Sequence, residues 1–222
     1  MPLRSVPGTA SVAHSRPEGK LFAPSAARNL QPICALLQRV APPQGNALEL
    51  ASGTGQHIVG FAAELTGLCW QPSEADPQRR DSIDRYAAAV NLPNLLPAIH
   101  LDATAPGWGA RLPPKELIVL SNLLHLISNS EAETLIAEVS AALSSGGVFV
   151  LYGPFMRAGQ LISRADQEFH RSLRAHDAQI GYKGDDQLRQ WGLSQGLKLR
   201  ELVDMPANNL SFVFTKHPAQ TE

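Results

Sequence analysis

The chain has 222 residues, 19 Lys and Arg against 20 Asp and Glu, and 44% hydrophobic residues. That length suits one α/β domain with an appendage, and the balanced charge lacks the basic field that a nucleic-acid partner requires. No apolar run approaches the roughly 18 residues of a membrane span, and the seven histidines carry no metal-site spacing. Cys34 and Cys69 stand far apart without C-x-x-C spacing, which predicts buried thiols in a reducing, cytoplasmic setting. Residues 1–20 read as a mobile leader, because three prolines interrupt any amphipathic helix around Arg4 and Arg16. A leading helix is expected over residues 25–40, kinked or split at Pro32.

The run Leu48-Glu49-Leu50 is strand-like and breaks at Gly53 and Gly55 before a helical stretch over 56–66. It reads as the cofactor-binding turn of a βαβ unit, since glycine permits close backbone approach and the next helix offers unpaired N–H groups. A dinucleotide fingerprint needs a third glycine where Ile58 stands, which argues against a nicotinamide-dependent oxidoreductase. A second strand from Leu68 leads to Glu74, about 20 residues past the turn, where a carboxylate can take both hydroxyls of a ribose. The alternative for Glu74 is a helix cap. That reading is preferred for Asp76, which has Pro77 at the first helical position of a helix running to 90. A third strand over 95–101 ends at Asp102, by itself a turn residue but here third in an ordered series.

Further on, 116–121 is a fourth strand and Ser130-Glu131-Ala132-Glu133 a capping box opening a helix to about 143. Gly146-Gly147 ends that helix, 148–152 is a fifth strand, and 198–203 with 210–215 form a hairpin whose short turn makes it antiparallel. The fold class is therefore α/β, a doubly wound, mostly parallel sheet with a C-terminal antiparallel hairpin. Ligands of such sheets bind outside the carboxyl ends of the strands, which selects Asn122, His125 and Tyr152. His125 is either a general base or a satisfied histidine, and Tyr152 either orients a ligand or fills the core. Arg28 and Asn29 either cover the site or sit on a helix surface, and His57 occupies a first helical turn. Residues 154–183 are too long for a plain loop and are expected to cap the substrate side. Arg157, Arg164, Arg171, Arg174 and Lys183 there outnumber Asp166, Glu168 and Asp177, fitting either an anionic small molecule or a solvated helical face.

Glu49, Gly53 and Gly55 resemble the first motif of class I S-adenosylmethionine-dependent methyltransferases, with Ala51 at the place of its first glycine. The series Ala26-Ala27-Arg28-Asn29 with Pro32-Ile33, the run 48–57, Trp70-Gln71-Pro72-Ser73, Tyr152-Gly153-Pro154-Phe155 and Met205-Pro206-Ala207-Asn208-Asn209 resembles the methyltransferase-like protein twenty-six family (domain of unknown function 938). The resemblance implies a seven-stranded Rossmann-like sheet in one domain over 21–222. It also implies S-adenosyl-L-methionine as cofactor, bound by Arg28, Asn29, Glu49, Gly53, Gly55, Glu74, Asp102 and Asn122. Methyl transfer to an unidentified small-molecule acceptor follows as the expected activity, with His125 and Tyr152 as catalytic candidates. A catalytically silent cofactor-binding protein is the alternative. One departure stands at 180–184, where Ile180-Gly181-Tyr182-Lys183-Gly184 replaces the family's aromatic-Gly-aliphatic-Arg-Asp, so substrate recognition is expected to differ from that of relatives.

Overall fold

The computed structural model describes residues 7, 8 and 10–217. Its spine is seven strands, β1 (Gly45–Leu50), β2 (Leu68–Glu74), β3 (Ile99–His100), β4 (Lys115–Ser121), β5 (Leu143–Met156), β6 (Leu197–Asp204) and β7 (Asn209–Lys216). They lie in the order β3-β2-β1-β4-β5-β7-β6. The first five are mutually parallel, and β7 runs antiparallel to both neighbours. An eighth, two-residue strand, Lys183–Gly184, pairs in parallel with the end of β5. Helices α1 (Pro24–Val40), α2 (Gln56–Glu64) and α3 (Pro77–Val90) pack on one face, and α4 (Asn129–Ala142) and α6 (Asp185–Ser194) on the other. Both faces of the central strands are thereby buried, which is why they read as continuous apolar runs. Leu48, Leu50, Leu120 and Phe149 face one core, while Ala47, Val119, Val150 and Tyr152 face the other.

Four sequence expectations are corrected. Pro32 does not split α1, which runs unbroken from Pro24 at its first position to Val40. Burial of Ile33, Cys34, Leu36, Leu37 and Val40, worth about 1.5–3 kcal/mol for a large apolar side chain, outweighs the roughly 3 kcal/mol that an internal proline costs. The third strand shrinks to Ile99–His100 plus a bridge between Leu95 and Trp70, since Pro97 has no N–H for a ladder. The capping box is Ser128 with Glu131, in which the Glu131 amide donates to Ser128 Oγ and Ser128 N–H donates back to Glu131 Oε2 at 2.6 Å. Finally, β5 begins at Leu143 and passes through Gly146 and Gly147, so the glycines sit inside a strand.

Of the segment read as a leader, residues 1–6 and 9 lie outside the described residues. From residue 10 it is laid against the domain. His14–Ser15 pairs with Leu21–Phe22, Leu21 N–H donates to Ser82 Oγ, and Ala23 N–H donates to Gln56 Oε1. Ser11 Oγ accepts from the Arg79 guanidinium at 2.7 Å. The 154–183 stretch holds α5 (Arg164–His176) and its own small apolar cluster of Leu173, Ile180 and Tyr182, to which Phe169 and Ala10 add. Asp166 ties this stretch to the β6–β7 turn by accepting from the Tyr182 hydroxyl and from Asn208 Nδ2. Among the described residues, no helix is long and apolar enough to cross a membrane.

Candidate cofactor cleft at the carboxyl ends of the strands

The turn after β1 is built from left-handed residues. Ala51 has φ 49°, Gly53 φ 59° and Gly55 φ 95°. The two glycines are required for different reasons. A Cβ on Gly55 would come within 2.8 Å of the Ile83 backbone, so Gly55 lets α3 close on the turn. A Cβ on Gly53 would meet nothing nearer than Arg79 Nη1 at 3.7 Å, so the space above Gly53 is open to a ligand. Ala51 carries the strain of a left-handed L-residue, about 1 kcal/mol or more, so this departure from the family motif costs more than its small size suggests.

Beneath the turn runs a buried polar chain. Glu49 is 2% exposed, and its Oε2 has no hydrogen-bond partner among the described residues. Burial pushes its carboxyl up to about 8, with Glu74 adding to the rise and a Ser52 hydrogen bond opposing it. His57 Nδ1 lies 4.0 Å from Glu49 Oε1, and His57 Nε2 lies 2.6 Å from Asn29 Oδ1. The imidazole stacks on Phe61, and burial pulls its pKa down to about 4. Asn29 in turn meets the buried Tyr152 hydroxyl, whose pKa is raised by burial against the lowering effects of Asn29 and Arg28. The structure thus brings together Arg28, Asn29, Glu49 and Tyr152 from three separated segments. His57 is the residue that sequence reasoning missed, and its only signal was a polar side chain one position into a helix that follows a glycine turn.

Glu74 closes the other side. Its Oε2 accepts from the Gly53 amide at 3.0 Å, and its Oε1 accepts from the amides of Ala75 and Asp76. A carboxylate has about four acceptor positions, so most of its capacity secures the loop and the remainder lies on Oε2. Asp76 caps α3 by accepting from the amides of Gln78 and Arg79. Asp102 Oδ1 takes the amide and hydroxyl of Thr104, a local turn that leaves Oδ2 as its other acceptor. Asn122, in a left-handed conformation with φ 58°, places its side-chain oxygen beside Gly153.

His125 sits apart. It is 5% exposed, packed against Phe169 and Tyr182, and its carbonyl accepts from Gly181 N–H. Burial, helped by Lys183, pulls its pKa down to about 3, so the ring is neutral throughout the physiological range.

Strand order, the reversed last strand and the glycine turn at the carboxyl end of the first strand define the class I methyltransferase fold. The chain matches the family described as protein of unknown function (DUF938) over residues 20–216, and it belongs to that family. Among solved structures it is similar to an O-methyltransferase family protein from Burkholderia thailandensis, at 13% identity and a TM-score of 0.75, over 88% of this chain and 58% of that one. It is also similar to an O-methyltransferase family 2 protein from Planctomyces limnophilus in complex with apigenin, at 16% identity and a TM-score of 0.72, over 86% and 60% of the two chains. Human N-acetylserotonin methyltransferase in complex with SAM matches at 12% identity and a TM-score of 0.71, over 87% and 53%. The chain therefore spans between 53% and 60% of the length of these three proteins.

Proposed function

We propose that the protein is an S-adenosylmethionine-dependent methyltransferase of a small-molecule acceptor, and that within its family it stands beside methyltransferase-like protein twenty-six. One arrangement carries this reading: an open, left-handed Gly53 whose amide is held by Glu74, above a buried Glu49 with an unpartnered oxygen. These residues fit the cofactor. Gly53 allows close approach, Glu49 suits a positively charged group, and Glu74 Oε2 and Asp102 Oδ2 are acceptors for a ribose hydroxyl and an exocyclic amine. Arg28 and Asn29 close the α1 side, and Asn122 borders the acceptor side. The cofactor supplies a methyl group already activated on a sulfonium, so the protein's share is alignment and exclusion of water. Complexes of structural neighbours with SAM, SAH and apigenin support this choice of cofactor and of a small acceptor.

The chemistry of the two catalytic candidates divides. Tyr152, buried and hydrogen-bonded through Asn29, orients rather than deprotonates. His125 is a wall residue, because a group at about 3 is a poor match for proton abstraction near neutral pH. The favoured acceptor is consequently one that loses its proton readily, such as a thiol. That neither buried histidine is a base poised near neutral pH also supports a second reading, a silent cofactor-binding protein. Both cysteines are free thiols, and burial pushes Cys34 up to about 11, which suits a cytoplasmic protein and leaves Cys34 no nucleophilic role.

Calorimetry of the full chain with S-adenosylmethionine, S-adenosylhomocysteine and nicotinamide dinucleotide tests the cofactor. Heat with the first two alone is expected, and well-folded protein giving heat with neither overturns the proposal. A methyl-transfer screen over thiol, amine and hydroxyl acceptors then separates an enzyme, expected to favour thiols, from a silent binder.

A further inference from the structure

We propose that the N-terminal segment at Ala10–Ser11 forms a roof over the site at the glycine turn, latched by Arg79, and that it lifts to let a ligand enter and leave. Arg79 and Ser11 thereby become further residues of that site. The inference rests on reading the glycine turn as a cofactor site.

Contacts of two adjacent residues place the roof. The Arg79 guanidinium borders the open space at Gly53: a Cβ there would lie 3.7 Å from its Nη1, and its Nη2 donates to Ser11 Oγ at 2.7 Å. One residue earlier, Ala10 packs against the apolar cluster of Leu173, Ile180 and Tyr182. Arg79 stands in the first turn of α3, which follows β2, whereas that cluster belongs to the stretch after β5. Between β2 and β5 in the sheet lie β1 and β4, whose carboxyl ends carry the glycine turn and Asn122. Neighbouring residues are only about 3.8 Å apart. A chain that reaches both sides at 10 and 11 therefore crosses in front of those two strand ends, with the Arg79 side chain bridging the gap on the Gly53 side.

The hold on this segment is uneven, as a hinged cover requires. Downstream it is secured many times over. His14–Ser15 pairs with Leu21–Phe22, the Arg16 guanidinium lies 4.5 Å from the centre of the Phe22 ring, and Lys20 Nζ lies 5.4 Å from that of Tyr86. Leu21 and Ala23 donate to Ser82 Oγ and Gln56 Oε1, and both of those side chains are bonded to Thr54 of the glycine turn. Upstream, among the described residues, the hold rests on a partly buried hydrogen bond at Ser11 and a one-carbon side chain at Ala10, while Val12 is 39% exposed. A hydrogen bond to a charged group shifts an equilibrium by about tenfold or more, enough to keep the roof shut most of the time and too little to lock it. Shut, it excludes water from the reacting methyl; open, it admits and releases ligand.

Two variants of the full chain loosen the latch without touching the domain core. Ser11→Ala removes the acceptor, and Ala10→Gln is too long and polar for its seat. Arg164→Met, at a side chain 90% exposed, is the control. Without ligand, amide hydrogen exchange at residues 11–16 and 52–55 is expected to quicken at least about threefold in both variants and to keep the wild-type rate in the control. In stopped-flow mixing with S-adenosylhomocysteine, association and dissociation are both expected to quicken, dissociation by about tenfold in Ser11→Ala, because opening of the roof enters both rates. Unchanged exchange at 52–55, a control that matches the two variants, or wild-type rates with S-adenosylhomocysteine overturns the roof. A rise in dissociation alone also overturns it, since that marks a fixed wall. Folded wild-type protein that does not bind S-adenosylhomocysteine overturns the cofactor reading instead, and the exchange rates then decide the roof by themselves.

Discussion

Stability should pass through a maximum near pH 6.5, with limbs traceable to three buried side chains. The slope of unfolding free energy with pH equals about 1.4 kcal/mol per pH unit for each proton that the unfolded chain binds in excess of the folded one. His57 and His125 fall from an ordinary 6.5 to about 4 and about 3 in the folded protein. Their neutral forms are favoured by folding, so their contribution is complete above pH 6.5 and is lost as the pH falls. Glu49 rises from 4.5 to about 8. Its protonated form is favoured by folding, so its contribution is complete below pH 4.5 and is lost as the pH rises. Between pH 4.5 and 6.5 the unfolded chain binds two more protons on the histidines and one fewer on Glu49. The net is one proton, and stability climbs by about 3 kcal/mol over that range. Between pH 6.5 and 8 only Glu49 differs, and stability declines by about 2 kcal/mol. His170, lowered as well, adds to the acid limb with the same sign. Urea unfolding at constant ionic strength from pH 4.5 to 9 reads these limbs directly. Glu49→Gln should flatten the alkaline limb, and His125→Asn should level the climb between pH 4.5 and 6.5. A wild-type curve that stays level or rises from pH 6.5 to 8, or an alkaline limb that survives Glu49→Gln, would refute the reasoning.

The two glycines of the turn should fail in different ways. Gly55→Ala drives a Cβ into the Ile83 backbone and should lower stability by roughly 2–5 kcal/mol, combining overpacking with left-handed strain. Gly53→Ala, with open space above it, should cost only about 1–2 kcal/mol while abolishing cofactor heat, and equal midpoints in urea for the two variants would contradict this. Asp76→Ala should cost about 1 kcal/mol of stability through the lost cap and leave affinity intact. Glu74→Ala should weaken cofactor binding by roughly 1–3 kcal/mol, and the reverse pattern in a joint calorimetric and unfolding series would exchange their roles.

What was legible in the sequence was local. Asp76 followed by Pro77 specifies a cap within one helical turn, Gly53 and Gly55 specify left-handed backbone, and the short 204–209 segment forces β6 and β7 into a hairpin. What was not legible depended on partners distant in sequence. Nothing near residue 57 announces Asn29, 28 positions earlier, as the partner of its imidazole. Nothing near His125 announces that Phe169, Tyr182 and Lys183 will enclose it. Pro32 misled for the same reason, since the apolar face that keeps α1 whole is buried by a sheet assembled later in the chain.

The buried chain from Glu49 through His57 and Asn29 to Tyr152 joins the strand before the glycine turn, the helix after it, α1 and the end of β5. All four side chains are desolvated, and the His57–Asn29 link is short at 2.6 Å, so moving either of these two leaves a buried polar group at its neighbour, at about 1–3 kcal/mol for each group left unsatisfied. That coupling is what makes α1 more than a cover. Its Arg28–Asn29 turn faces Glu49 across a single imidazole, and the glycine turn cannot shift without disturbing Tyr152. The same dryness drives His57 and His125 too low to serve as bases near pH 7 and pushes Tyr152 up, which leaves Glu49, raised to about 8, as the member of the chain that titrates close to neutrality. Under the proposed methyltransferase function, a site organised this way relies on alignment, and acceptors that lose their own proton readily are the ones it is expected to turn over fastest.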